Sequence, residues 1–231
     1  WENDGAEIRL CESARPQNIN YYFKEGLVCA AITTGKNSFR ILEANYIFDV
    51  NIRAAFPKDP AMTFQVLSLC NSKVVEYLTS VLNPTMAFNI DDFERIPFND
   101  EKTEVIKQNA ELLINISKSD WNNYEISWDF KTTPLLIFDF KQEILSTTYK
   151  QLKLYWHDIT HKIITKEEEN NTLLIEAYGL QDELTPEVVI ATGMAGQRGQ
   201  YRRHMIIPEK TAEVGFQAPE RKQIVRGNAG F

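Results

Sequence analysis

The apolar spacing between Leu145 and Ala177 constrains this chain more than any other feature. Leu145, Tyr149, Leu152, Trp156, Ile159 and Ile163 step by four and three in alternation, and the register then falls on Lys166, Asn170, Leu173 and Ala177. A helix puts residues so spaced on one side, so one long helix is predicted over about residues 139–178. The steps are those of a heptad, with Asn170 where a buried amide fixes register. Trp156 is expected on the buried seam between Leu152 and Ile159. Such a helix has two homes: an amphipathic face in a local bundle, or a coiled-coil arm.

Ahead of that helix the pattern is different. Residues 1–26 are polar and loop-like, with Pro16 and Gly26 as breakers. The segments LVCAAITT, SFRIL and NYIFDV, between Leu27 and Val50, are rich in β-branched and aromatic residues. Turns at Gly35-Lys36-Asn37 and Glu43-Ala44-Asn45 predict a three-strand meander. Asp59-Pro60 is a helix start, a capping side chain followed by the residue whose missing N–H is harmless at the first position. The helix predicted from about 60 to 82 puts Leu67, Cys70, Val74, Tyr77, Leu78 and Val81 on one stripe, and Asn83-Pro84 stops it. A strand over Met86–Phe93 and a second helix over about 101–118 follow. The fold class is α+β: a small, mostly antiparallel sheet packed on a helix, then a helical C-terminal region with one long helix. The expected division is 1–100 for the α+β part, 101–190 for the helical part, and 191–231 for a tail. Six of the ten glycines fall in 193–231, so that tail reads as flexible or foreign.

Charge and cysteine content narrow the function classes. The net charge is −7, yet residues 194–231 hold seven basic residues against three acids, which leaves −11 on residues 1–193. Duplex affinity comes largely from Lys and Arg on phosphates, so any DNA-reading face here must be small and local. Three widely spaced cysteines (Cys11, Cys29, Cys70), without a CxxC pair, indicate neither a zinc ribbon nor a disulfide framework. A reducing cytoplasm is the expected compartment. No apolar run approaches the roughly 18 residues a membrane span needs. A start at Trp1 without a signal sequence reads as a piece of something longer.

The stretch from Leu67 to Phe98, LSLCNSKVVEYLTSVLNPTMAFNIDDFERIPF, resembles the helix-then-strand core of target recognition domains. Such domains occur in DNA methyltransferases and restriction-modification specificity subunits. More specifically, the chain resembles large BREX-type phage-defence adenine methyltransferases of the PglX family. The resemblance takes in Arg15-Pro16-Gln17-Asn18, Tyr21-Tyr22-Phe23-Lys24-Glu25-Gly26, Phe48-Asp49-Val50, Ser127-Trp128-Asp129-Phe130 and Glu167-Glu168-Glu169-Asn170-Asn171, and stops near Glu187. It implies a region that reads DNA sequence within a site-specific adenine-N6 methyltransferase. Its partners would be double-stranded DNA, the catalytic domain of the parent chain, and other defence-system proteins. S-adenosylmethionine is implied for the parent and no cofactor for this chain.

The residues support recognition rather than catalysis. Neither a Gly-rich cofactor turn nor an Asn/Asp-Pro-Pro-aromatic loop is present, and Asn83-Pro84-Thr85-Met86 has only two residues of the latter. Gly35-Lys36-Asn37-Ser38 lacks the upstream glycine and the hydroxyl of a phosphate-binding loop. His157-Asp158-Ile159-Thr160-His161 has Asp where a metalloprotease needs Glu, and its histidines fall on the outer face, so no metal is expected. Glu167–Glu169 reads as a solvated helix face. What remains is Thr33, Thr34, Lys36, Asn37, Ser38 and Arg40 around one β-turn, with Arg53 just beyond. Arg, Asn and Thr or Ser are the side chains that pair with base edges, and Arg40 is the sharpest candidate among them. Its bland alternative is a cross-strand ion pair with Glu43. The competing function is a non-enzymatic helical scaffold, which predicts exposed apolar surface along 145–177. Recognition predicts basic and amide side chains converging beside the hairpin.

Overall fold

The computed structural model describes residues 1–32, 38–83, 85, 89–99, 103–137 and 139–188. The 191–231 tail and most of the hairpin tip lie outside them. After a short helix α1 (Ala6–Leu10), the apolar run Gly26–Ala30 forms β1. It is the central strand, flanked antiparallel by β2 (Arg40–Leu42) and β3 (Ile52–Ala55). Gly26 is required at its start: a Cβ there would lie 2.7 Å from the Phe56 ring and 2.8 Å from the Ala55 carbonyl.

The sheet corrects the expected meander. The third strand is not NYIFDV, and the first strand is in the middle. The Asp49 carboxylate accepts from the Asn51 backbone and side-chain amides, each at 2.9 Å, which closes a turn where the strand was expected. The aromatics of that run serve other contacts. Phe48 meets Tyr22 edge-on at 5.5 Å and Phe56 at 5.8 Å, while Tyr46 stacks on Trp128 at 6.2 Å. Strand propensity measures fit to a half-buried surface, and here an aromatic cluster is that surface.

Asp59 caps as expected, its carboxylate accepting from the Ala61 N–H at 3.0 Å. The helix that follows is not continuous. A 3₁₀ turn (Pro60–Met62) leads into α2 (Thr63–Cys70), and α3 (Lys73–Leu82) begins after a break at Asn71-Ser72. Ser72 turns extended, donates its hydroxyl to the Leu69 carbonyl at 2.7 Å and caps α3 through the Val75 N–H at 3.3 Å. Short polar side chains that bond the backbone locally compete with helix continuation, and here they win. The strand expected over Met86–Phe93 is replaced at its end by helix α4 (Ile90–Glu94); residues 86–88 are outside the described set. Buried Asp92 accepts from the Asn89 N–H at 2.9 Å and from the Asn83 amide at 2.6 Å, so one carboxylate ties the end of α3 to the start of α4.

Helix α5 (Thr103–Trp121) and the long α6 (Leu145–Ala177) supply the remaining walls. One core cluster joins Leu27, Cys29 and Phe39 of the sheet region to Leu67, Cys70, Leu113 and Ile163. The other joins Leu69, Val74 and Val75 to Ile106, Leu174 and Ile175. Since Leu113 groups with Ile163 and Ile106 with Leu174, α5 and α6 run antiparallel. Asn170 lies in this seam as the heptad reading requires. It is 6% exposed, accepts from Asn109 Nδ2 at 2.9 Å and donates to Ser68 Oγ at 3.5 Å. A buried amide so placed penalises any slip that unpairs it.

The seam is uneven along its length. Leu152 is fully buried, Trp156 and Ile159 only half so, and Leu145 is 68% exposed with Tyr149 also exposed. Glu167–Glu169 is not a solvated face. All three are half-buried, Glu168 accepts from the Val188 N–H at 3.0 Å and Glu169 pairs with Lys166 at 2.6 Å. Gly179, at φ +68°, ends α6 with a bond from the Leu180 N–H back to the Ile175 carbonyl. Leu180 and Leu184 then fold onto the second core cluster. Among the described residues no helix is long and apolar enough to cross a membrane.

Candidate nucleic-acid interface

The segment between β1 and β2 carries the polar residues singled out above. Its returning end is held by an interaction 32 residues away in sequence. The Phe39 N–H donates to Asn71 Oδ1 at 2.8 Å, and Asn71 Nδ2 donates to the Phe39 carbonyl at 3.0 Å. The amide thus imitates a strand partner at the α2–α3 break, and Phe39 is locked into the core against Phe93 at 5.8 Å. Whatever the hairpin presents, it does so from a fixed base. Asn71 carried a readable sign, an Asn-Ser pair inside an apolar helical pattern, but the identity of its partner did not.

Thr33, Thr34, Lys36 and Asn37 lie outside the described residues. Ser38 is half-buried at the foot of the hairpin. Arg40 is 8% exposed, so in this conformation its guanidinium is withdrawn from an approaching duplex. Glu43, the acid named as its alternative partner, pairs with Lys118 at 2.6 Å. Register places the two arginines on opposite faces of the sheet. Arg40 and Ala54 both pair with Val28, while Arg53 pairs with Cys29. Residues directly opposite across a ladder share a face and successive residues alternate. Arg40 and Arg53 therefore do not converge. Arg53 is half-exposed on an edge strand and donates Nη1 to the Val50 carbonyl at 3.1 Å.

The chemistry under the sheet is inert. Burial pushes the Cys29 thiol up to about 12, partly opposed by the Arg53 cation, and burial also raises Cys70. Lys118 is held charged by its bond to Glu43, which links α5 to the end of β2. On α6 the His157 and His161 rings are 4.8 Å apart on the exposed side. Among the described residues no group of three or more His, Cys, Asp and Glu is placed to hold a metal ion. Exposed apolar surface does occur on α6, at Leu145, Tyr149, Leu154 and Tyr155, and is confined to its first three turns. Trp128, part of the segment that carries the family resemblance, is 91% exposed.

Two known proteins are similar to most of this chain. The adenine-specific methyltransferase PglX of Lacticaseibacillus casei (strain Zhang) is 30% identical over 198 residues, 81% of this chain. The adenine-specific methyltransferase BrxX of Escherichia coli O9:H4 (strain HS) is 29% identical over 199 residues, 83% of this chain. The chain spans 16% of the length of each. No protein-family model matches it. The chain is a distant homologue of these adenine-specific methyltransferases.

Proposed function

We propose, starting from that kinship, that this chain is the sequence-reading region of a site-specific DNA adenine-N6 methyltransferase of BREX-type phage defence. One observation carries the reading. Similarity to adenine methyltransferases runs over four-fifths of a chain that contains neither the cofactor turn nor the target-amine loop. A segment related to a methyltransferase but without its chemistry has sequence choice and duplex positioning left to supply. The Asn71 clamp on Phe39 suits that role, since a reading loop discriminates only if its base is rigid.

In this account the hairpin residues Thr33, Thr34, Lys36 and Asn37 face base edges, with Arg53 beside them, while Ser38, whose Oγ is buried, belongs to the foot of the hairpin. Asn pairs with the N6/N7 edge of adenine, Lys with the O6/N7 edge of guanine, and Thr or Ser with either. Arg40 becomes a support of the hairpin unless the sheet edge opens. S-adenosylmethionine would supply the methyl group in a catalytic domain elsewhere in the parent, where the target adenine is flipped from the stack. The scaffold reading keeps one observation of its own, the exposed Leu145, Tyr149 and Leu154 at the start of α6. A face for the parent's other domains or for other cytoplasmic defence proteins is compatible with recognition.

The test is selection. The purified 231-residue chain is incubated with duplexes of randomised core sequence, and the bound fraction is sequenced over successive rounds. Enrichment of one short motif is expected. A bound pool with the composition of the input at every salt concentration would leave the scaffold reading in its place.

A further inference from the structure

A chain of net charge −7 that holds duplex DNA must concentrate cations somewhere, and the stretch of α6 from Leu145 to Lys166 does so. That stretch carries Lys150, Lys153, Lys162 and Lys166 against a single acid, Asp158, with His157 and His161 among them, whereas the rest of α6 carries Glu167, Glu168, Glu169 and Glu176. Lys166 is engaged by Glu169 at 2.6 Å. Ser146, Lys150, Lys153, His157 and His161 follow each other at steps of four, three, four and four, so they form one line along the helix. All five are exposed, whereas Leu152 and Ile163, which fix α6 to the core, point to the other side. Among the described residues neither Lys150 nor Lys153 has a carboxylate partner. Asp158 flanks the line, 3.7 Å from His157.

We infer that this line is a phosphate-gripping ridge that lies along the sugar-phosphate backbone of duplex DNA, separate from the reading hairpin. The inference rests on the chain's contacting DNA, as proposed above. From Ser146 to His161 the line is about 22 Å long at a rise of about 1.5 Å per residue. One strand of B-DNA rises about 3.4 Å of axis per phosphate while winding around that axis, so a straight ridge meets only a few consecutive phosphates. Lysines on phosphates hold register and orientation and carry no sequence information. The serine and histidine side chains of the same line add hydrogen-bond donors of the kind that phosphate oxygens accept. Helix α6 is pinned by its buried residues and by the Asn109–Asn170 bond, so the ridge is presented without a further ordering step. The acidic character of the rest of the surface then orients the duplex toward this one side.

The experiment is fluorescence anisotropy of a labelled duplex of about 20 base pairs with the 231-residue chain, over about 50 to 200 mM salt. The variants are Lys150→Ala/Lys153→Ala, the rescue Lys150→Arg/Lys153→Arg, and the charge-matched control Lys58→Ala/Lys131→Ala. The ridge predicts that the first double variant loses affinity about tenfold or more at the lowest salt. The loss should be equal for every duplex sequence, with the salt slope shallower by about two. The arginine variant and the control should bind like the original chain, and all should melt alike. Identical salt slopes in the first variant and the control would overturn the ridge, as would no duplex binding by the original chain at the lowest salt. Tighter binding of an RNA duplex of the same sequence would also overturn it. The two readings fail separately. A selected motif with unchanged slopes removes the ridge alone, and a lost slope without any selected motif removes sequence reading alone.

Discussion

At the scale of single residues, the buried thiols give a pH signature whose sign is fixed. Cys29 ionises only near 12 in the folded chain, while a thiol in the unfolded chain ionises near 8.5. The folded state therefore keeps a proton that the unfolded state releases. The associated stability is fully present below about 8.5 and is lost as pH rises toward 12. Urea denaturation should show stability falling between about pH 9 and 11. Cys29→Ala should remove about 1.4 kcal/mol per pH unit from that slope, the share of one thiol. An unchanged slope in the variant would mean that Cys29 is ionisable in the fold. Asn71 and Arg40 show what single positions hide. An amide whose partner lies 32 residues away, or an arginine whose face depends on strand register, cannot be placed from neighbours in sequence.

At the scale of elements, legibility followed the range of the interactions that decide each one. The Asp59-Pro60 start, the helix end at Leu82 before Asn83-Pro84, and the existence of α6 rest on local chemistry and could be read directly. The NYIFDV run and the Met86–Phe93 segment looked like strands by composition. The Asp49 turn, the aromatic cluster and the Asp92 capping network decided them otherwise. The break in the 60–82 helix turns on Asn71-Ser72, a short polar pair inside an apolar stripe regular enough to read as one continuous helix. On α6 the same heptad letters are covered in the middle and bare at the start. Leu152→Ala should accordingly cost about 2–5 kcal/mol in chemical denaturation, and Leu145→Ala less than about 0.5 kcal/mol. Equal costs would show that the first turns of α6 are packed and that the exposed apolar end does not exist.

At the scale of the whole molecule, the net charge of −7 requires any contacts with duplex DNA to be local. Under the two proposals, the hairpin between β1 and β2, based on the Asn71 clamp, would read sequence, the line on α6 would hold backbone, and methyl transfer would be left to a catalytic domain of the parent. The proposal that 33–37 read DNA comes only from the family resemblance, since a polar hairpin tip is otherwise ordinary. The spacing of Lys150 and Lys153 is present in the sequence, but of that line only His157 and His161 belong to a recognisable pattern, the rejected metal motif. The most direct measurement is the ratio of affinities for a selected site and a scrambled duplex, compared between the original chain and Asn37→Ala. This substitution leaves charge unchanged, so phosphate contacts and the salt slope should stay as they are. Reading by the hairpin predicts that the ratio falls by about 1–3 kcal/mol, with affinity for scrambled duplex intact. A ratio that survives in Asn37→Ala, and again in Thr33→Ala and Lys36→Ala, would contradict the central claim.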